Sequence, residues 1–174
     1  MGQARRRLRA LAARQALAPP GAALGDRRAR LARYSLGVSQ ENVDKARDYI
    51  DAYNRRDFDA ATRWFDPDVE WVLPEHQRSD SAIGVKGIIR FWDGLDETFD
   101  VLQLCPQEHV DGGDRVATRL RHRVRGKGSG VELDDVLYHQ VITFRDGAIV
   151  RIEYLESWPD TLEAAGIDDH PDLP

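Results

Sequence analysis

Apolar positions in this chain recur first at helical spacing and later at period two. Val43, Ala46, Ile50 and Tyr53 form one stripe with Tyr49 beside it, which predicts a helix. Ser39 is placed to cap that helix, and Glu41 in the first turn faces the positive end of its dipole. Asp57 is placed to cap a second helix in which Phe58, Ala61 and Phe65 share a face, with Trp64 at its edge. Asp66-Pro67 should end it, because the residue before a proline avoids helical angles. Val69, Trp71 and Leu73 then alternate as one face of a short strand, and Pro74 to Val85 reads as a polar loop. After Gly87 the apolar spacing returns to helical, with Ile88, Phe91, Trp92, Leu95 and Phe99 on one side.

From there the pattern is that of strands. Leu102 to Val110 predicts a strand bent near Pro106, and Asp111-Gly112-Gly113-Asp114 is a turn signal. Val116, Thr118, Leu120, His122 and Val124 alternate with Arg119, Arg121, Arg123 and Arg125. Period two with one charged face marks a strand of a half-exposed antiparallel sheet. Gly126-Lys127-Gly128-Ser129-Gly130 turns the chain into a long strand from Val131 to Phe144. Asp146-Gly147 suits a tight hairpin into a last strand, Ala148 to Glu156. Pro159-Asp160 opens one or two helical turns that Gly166 stops, and the acidic tail Ile167 to Pro174 is expected to have nothing to pack against. Three helices followed by antiparallel strands predict an α+β domain with its helices on one sheet face.

Composition adds limits. A chain of 174 residues with 41% hydrophobic content suits one domain with a real core. No apolar run is long enough to cross a bilayer as a helix, so no membrane partner is expected. Cys105 is the single cysteine and cannot form an internal disulfide; it reads as a small buried hydrophobe and fits a cytoplasmic location.

The net charge of −5 hides an asymmetry. Residues 1–38 hold nine arginines against one acid, Asp26, so they carry +8 and leave −13 for the remainder. So acidic a domain is not expected to bind nucleic acid, which needs clustered Lys and Arg. Residues 1–38 are also rich in Ala and nearly free of aromatics, too poor in apolar surface to offset their ordering entropy. They read as a basic tail, as an Arg-rich transit peptide, or as upstream sequence of a GC-rich bacterial genome read open ahead of a start at Val38. A chain beginning at Val38 is expected to keep its melting temperature. The expected organisation is an extension over 1–38, a domain over 39–166 and an acidic tail over 167–174.

Four stretches in chain order carry a resemblance: Asn54-Arg55-Arg56-Asp57-Phe58, then Phe65-Asp66-Pro67-Asp68-Val69-Glu70-Trp71, then Arg90-Phe91-Trp92, then Phe144-Arg145-Asp146-Gly147-Ala148-Ile149-Val150. The order resembles the SnoaL-like polyketide-cyclase and ketosteroid-isomerase families of the nuclear-transport-factor-2-like superfamily. That resemblance implies a cone-shaped fold, a curved antiparallel sheet wrapped around three N-terminal helices and enclosing a pocket. Strand parity and the helix stripes then nominate the lining: Tyr49, Tyr53, Trp71, Trp92 and Leu120, with Tyr138, Gln140, Ile142, Ile152 and Tyr154. His122 and Val150 share the same inward parity. Such an aromatic lining suits a small apolar or aromatic metabolite.

The resemblance also locates the positions where related enzymes keep their chemistry. The isomerase tyrosine falls on Tyr49, its catalytic carboxylate at or next to Trp71, and its oxyanion acid on Gln140. The cyclase acid likewise falls near Gln140, and the cyclase histidine in the Gly126 to Gly130 turn. No Asp-Arg-Asp set of the epoxide-hydrolase kind falls on inward positions. If Arg125 pairs with Val131, His122 sits opposite Asp134, a histidine with a carboxylate to orient it. Asp134-Asp135 together read as hairpin-end charge. His76, His109, His122, His139 and His170 show no metal-binding spacing, so neither metal nor cofactor is expected.

Three functions remain open. One is a binder of a small apolar or aromatic molecule. Another is an isomerase, cyclase or hydratase using His122 with Asp134, or Tyr49. The third is a dimerisation module with its pocket packed shut. By resemblance a homodimer is expected through the outer sheet face, which carries Arg119, Arg121, Arg123, His139, Thr143, Arg151 and Glu153.

Overall fold

The structure, a computed structural model, describes residues 40–173, without the side chains of Ser79, Asp135 and Val136. The readings of residues 1–38, of Ser39 as a cap and of Pro174 lie outside the described residues. Helix α1 spans residues 40–54 and buries Ala46, Tyr49 and Ile50 completely. Asp57 caps the short α2, Phe58–Thr62, its carboxylate accepting the Ala60 N–H at 3.1 Å.

Phe65 is not on that helix. It opens strand β1, Phe65–Val72, which includes Asp66-Pro67. The proline fits there because pairing with the neighbouring strand is interrupted between Phe65 and Glu70, where no ladder N–H is needed. The expected loop contains a 3-10 turn, Glu75–Asp80, and a two-residue strand β2, Ala82–Ile83. Helix α3 runs Val85–Thr98 and buries Ile88 and Trp92. Phe99 already belongs to β3, Phe99–Asp111, whose irregularity between Pro106 and Glu108 is the expected bend.

Strand β4, Arg115–Gly126, and β5, Glu132–Arg145, follow, then β6, Ala148–Leu155, and a closing helix α4, Trp158–Ala164. The six strands form one sheet in the order β2-β1-β6-β5-β4-β3. The fold is the expected α+β arrangement of a curved sheet and helices, with one difference. The sheet is mixed, since β1 pairs with β6 in parallel while the other pairs are antiparallel. These two strands are joined by the rest of the domain instead of a hairpin, and a long connection is what a parallel pair requires. Consecutive residues Thr143 and Phe144 of β5 pair with Arg151 and Ile149, so β6 carries an extra residue, Val150, and Ile149, not Val150, is fully inside.

The inner sheet face and helices α1 to α3 share the main core, which includes Trp92, Leu120, Ile142 and Ile152. A second cluster lies on the opposite face, where Trp158, Leu162 and Ala165 cover Ala117 and Val141. The tail, expected to be unpacked, joins it. Ile167 and Leu173 pack there, His170 Nε2 lies 3.2 Å from Glu108 Oε1, and Asp172 pairs with Arg119. Arg119 also stacks over Trp158 at 4.5 Å. The tail's two apolar residues and its acids thus match an apolar and basic patch on β4 that linear patterning does not reveal. No helix among the described residues is long and apolar enough to cross a membrane.

Candidate functional site

Between α3 and the inner sheet face lies a cavity of about 320 Å³. Seven aromatic residues form much of its wall: Tyr53 from α1, Trp71 from β1, Phe91 and Trp92 from α3, Phe99 from β3, Tyr138 from β5 and Tyr154 from β6. They meet edge to face or tilted. Trp71 and Trp92 lie 5.6 Å apart at 81°, Tyr53 and Trp92 5.0 Å apart at 70°, and Trp71 and Tyr154 5.3 Å apart at 47°. Such geometry brings positive ring edges onto negative faces and stiffens the wall. Leu73, Leu95, Leu102, Leu104 and Val124 fill in around them. Leu133, half exposed, and Gln77 of the 3-10 turn also line it, so the cavity reaches the surface there.

The rings converge because two periodicities face each other. Trp92 lies on the buried stripe of α3, while Trp71 and Tyr154 are inward residues of parallel neighbours β1 and β6. Of the residues nominated from sequence, Tyr53, Trp71, Trp92, Tyr138 and Tyr154 lie on the wall. Tyr49, Leu120, Gln140, Ile142 and Ile152 are buried but do not line the cavity. They pack in the core, because inward parity gives the face of a strand and not the depth along it. The additional lining residues Phe91, Leu95 and Phe99 stood on the apolar stripe already visible in the sequence. Gln77 had no such signal.

Tyr49 and Gln140 nevertheless touch the site indirectly. The Tyr49 hydroxyl donates to Gln140 Oε1 at 3.4 Å, and the Tyr154 hydroxyl interacts with that of Tyr49. A short polar chain therefore runs from the cavity wall into the core. Burial pushes both phenols well above the usual tyrosine range, so both stay protonated at neutral pH. Gln140 Nε2 is buried without a hydrogen-bond partner, as are the indole N–H groups of Trp71 and Trp92.

His122 lines the cavity and stacks on Tyr138 with 4.2 Å between ring centroids. Loss of hydration pulls its pKa from 6.5 down to about 4, so the imidazole is neutral at pH 7. Its Nε2 has no partner. The expected pair with Asp134 is not formed. Arg125 pairs with Glu132 instead of Val131, and a bulge between His122 and Val124 puts Val136 opposite His122. Asp134 is exposed, 3.9 Å from Arg121. The one-residue slip at the turn and the extra β5 residue at the bulge together set the partner of His122 two residues beyond Asp134, and that is the reason the pairing fails. The Asp135 side chain lies outside the described residues. Among the described residues, no carboxylate lines the cavity, and no group of three His, Cys, Asp or Glu is placed to hold a metal ion.

This arrangement of sheet and helices is the fold of nuclear-transport-factor-2-like proteins. The family model of the SnoaL-like domain matches residues 46–152, and the chain belongs to that family. Comparison with curated proteins returns no match. Among solved structures it is similar to an NTF2-like protein of unknown function from Burkholderia pseudomallei, at 21% identity, TM-score 0.61, over 71% of this chain and 95% of that one. It is similar as well to TerC co-crystallised with polyporic acid, at 24% identity, TM-score 0.61, over 72% and 98%. A third is a protein with a ketosteroid-isomerase-like fold from Catenulispora acidiphila in complex with trimethylamine, at 16% identity, TM-score 0.58, over 71% and 93%. At these identities the likeness shows the fold.

Proposed function

We propose that this domain binds a small apolar or aromatic molecule in the cavity between α3 and the sheet. One observation carries the reading: the aromatic side chains stop short of filling the interior and leave about 320 Å³, at the lower end of the range of small-molecule sites. A pure dimerisation module would gain stability by closing that space, since each empty volume forfeits packing. Similar folds co-crystallised with polyporic acid, in TerC, and in complex with trimethylamine, in the Catenulispora protein, support binding of a small molecule.

A catalytic reading as an isomerase, cyclase or hydratase rests on His122, the imidazole at the wall. A neutral imidazole can accept a proton, but its proposed carboxylate partner Asp134 stands at Arg121 instead. Tyr49 serves only through Tyr154, as a positioning residue. The homodimer expected on the outer sheet face would use Arg121, Arg123 and Arg151, because α4 and the tail cover Ala117 and Val141 and engage Arg119. Sedimentation at micromolar concentration checks it; a mass near that of one 19.7 kDa chain refutes it.

The test of binding is a thermal-shift screen of the full chain against a library of apolar and aromatic metabolites. A ligand present at 100 times its Kd stabilises the native state by about 2.7 kcal/mol, worth several degrees. The shift should vanish in Val124→Trp or Leu95→Trp, which fill the cavity from its wall. Ligands whose shift survives both substitutions bind elsewhere and would refute the assignment.

A further inference from the structure

The polar groups of the cavity are not spread evenly along it. Among the buried rings they are already engaged or covered. The Tyr53 hydroxyl meets the Arg56 guanidinium, and the Tyr154 hydroxyl meets that of Tyr49. The indole N–H groups of Trp71 and Trp92 are buried among their neighbours. The open end differs. Gln77, His122 and Tyr138 line the cavity there, and among the described residues none of their side chains has a hydrogen-bond partner. Three elements bring them to one end. His76 Nδ1 lies 3.5 Å from Glu156 Oε1, which places the 3-10 turn of Gln77 against the end of β6. Strand β5 pairs with that end through His139 and Leu155, so the adjacent Tyr138 stands level with it. His122 reaches Tyr138 from β4 by ring stacking.

We infer that the ligand is polar at one end and sits in one direction: its apolar body lies against Trp71 and Trp92, and a hydroxyl or carbonyl head stays at the mouth among Gln77, His122 and Tyr138. This rests on the cavity reading above. A hydroxyl or carbonyl that leaves water must recover its hydrogen bonds. Lodged among the inner rings, such an oxygen would meet hydroxyls that already hold partners. At the mouth it meets an amide, a phenol and a neutral imidazole, each able both to donate and to accept. Nε2 of His122 is buried, so Nδ1 is the imidazole atom that can reach the head. An apolar body alone would fit the rings in either direction; three unengaged polar side chains at one end fix which way it points.

The test is equilibrium dialysis of the full chain at pH 7 with two probes of one shape, 2-naphthol and 2-methylnaphthalene. Both are measured against wild type, Gln77→Leu, His122→Phe, Tyr138→Phe and Tyr154→Phe. Replacing a side chain that holds the naphthol oxygen should weaken naphthol about fivefold and methylnaphthalene by less than about twofold. The probes differ only at the head, so loss of fold or packing lowers both alike. Selective loss of naphthol in one or more of the three mouth variants, with Tyr154→Phe shifting both probes alike, supports the inference. Selective loss in Tyr154→Phe puts the head inside, and no selective loss in any mouth variant means that nothing there reads it. Either result overturns the inference while the cavity reading stands. If neither probe binds wild type, the cavity reading falls and the inference with it. Binding that persists in both Val124→Trp and Leu95→Trp places the probes outside the cavity and overturns the inference too.

Discussion

Acidification should destabilise this domain through His122, and the size of the effect follows from its surroundings. Unfolded, the imidazole takes a proton near pH 6.5; folded, it resists protonation down to about pH 4. Between those values the unfolded chain binds more protons than the folded one. Stability therefore rises with pH across this window and falls as pH drops through it. The loss begins near pH 6.5 and is complete below pH 4. Linkage with those two pKa values gives about 2 kcal/mol lost between pH 7 and pH 5 from this one group. His109, also pulled down to about 4, adds a smaller loss of the same sign, since it is closer to the surface. Urea unfolding at pH 7 and pH 5 measures the difference for wild type and for His122→Phe, which keeps a ring stacked on Tyr138. The variant should lose about 2 kcal/mol less than wild type over that interval. Equal losses would mean that His122 is solvated in the folded protein, and the wall assigned to it would be wrong.

Three further outcomes are expected. Tyr49→Phe strips Gln140 Oε1 of its donor and Tyr154 of its partner, at a cost of about 1–3 kcal/mol; adding Gln140→Leu should recover part of that, and strictly additive costs by urea denaturation would refute the coupling. A chain ending at Gly166 loses the packing of Ile167 and Leu173 and the Arg119–Asp172 pair, so its melting temperature should fall by several degrees; an unchanged value would show that the tail contributes nothing. Isomerisation of a Δ5-3-ketosteroid should be undetectable by ultraviolet absorbance, because Trp71 and Gln140 cannot take a proton from carbon; turnover that disappears in Tyr49→Phe would refute this.

The local features of this domain were legible in its linear pattern. The alternation from Val116 to Val124 predicted a strand with Val116, Thr118 and Leu120 inside, and all three are fully buried. Asp146-Gly147 predicted a tight hairpin, and both residues take positive φ, 52° and 80°. The stripe through Ile88 and Trp92 predicted the buried face of α3. In each case neighbouring residues alone decide the geometry.

What depends on remote partners was not legible. Nothing in Phe65–Val72 names β6 as its parallel neighbour, since either strand's backbone can pair with any other. The bulge after His122 arises from fitting β4 to β5, and it separates His122 from Asp134 although their spacing suits a pair. Parity identified Tyr49, Leu120 and Gln140 as inward, but only the seating of α1 to α3 on the sheet divided inward residues into cavity wall and solid core. The sequence by itself thus determined which residues avoid water, because hydrophobic spacing is a property of each segment. The tertiary structure alone decided where the interior stays open, because an empty volume is set by the packing of several segments at once.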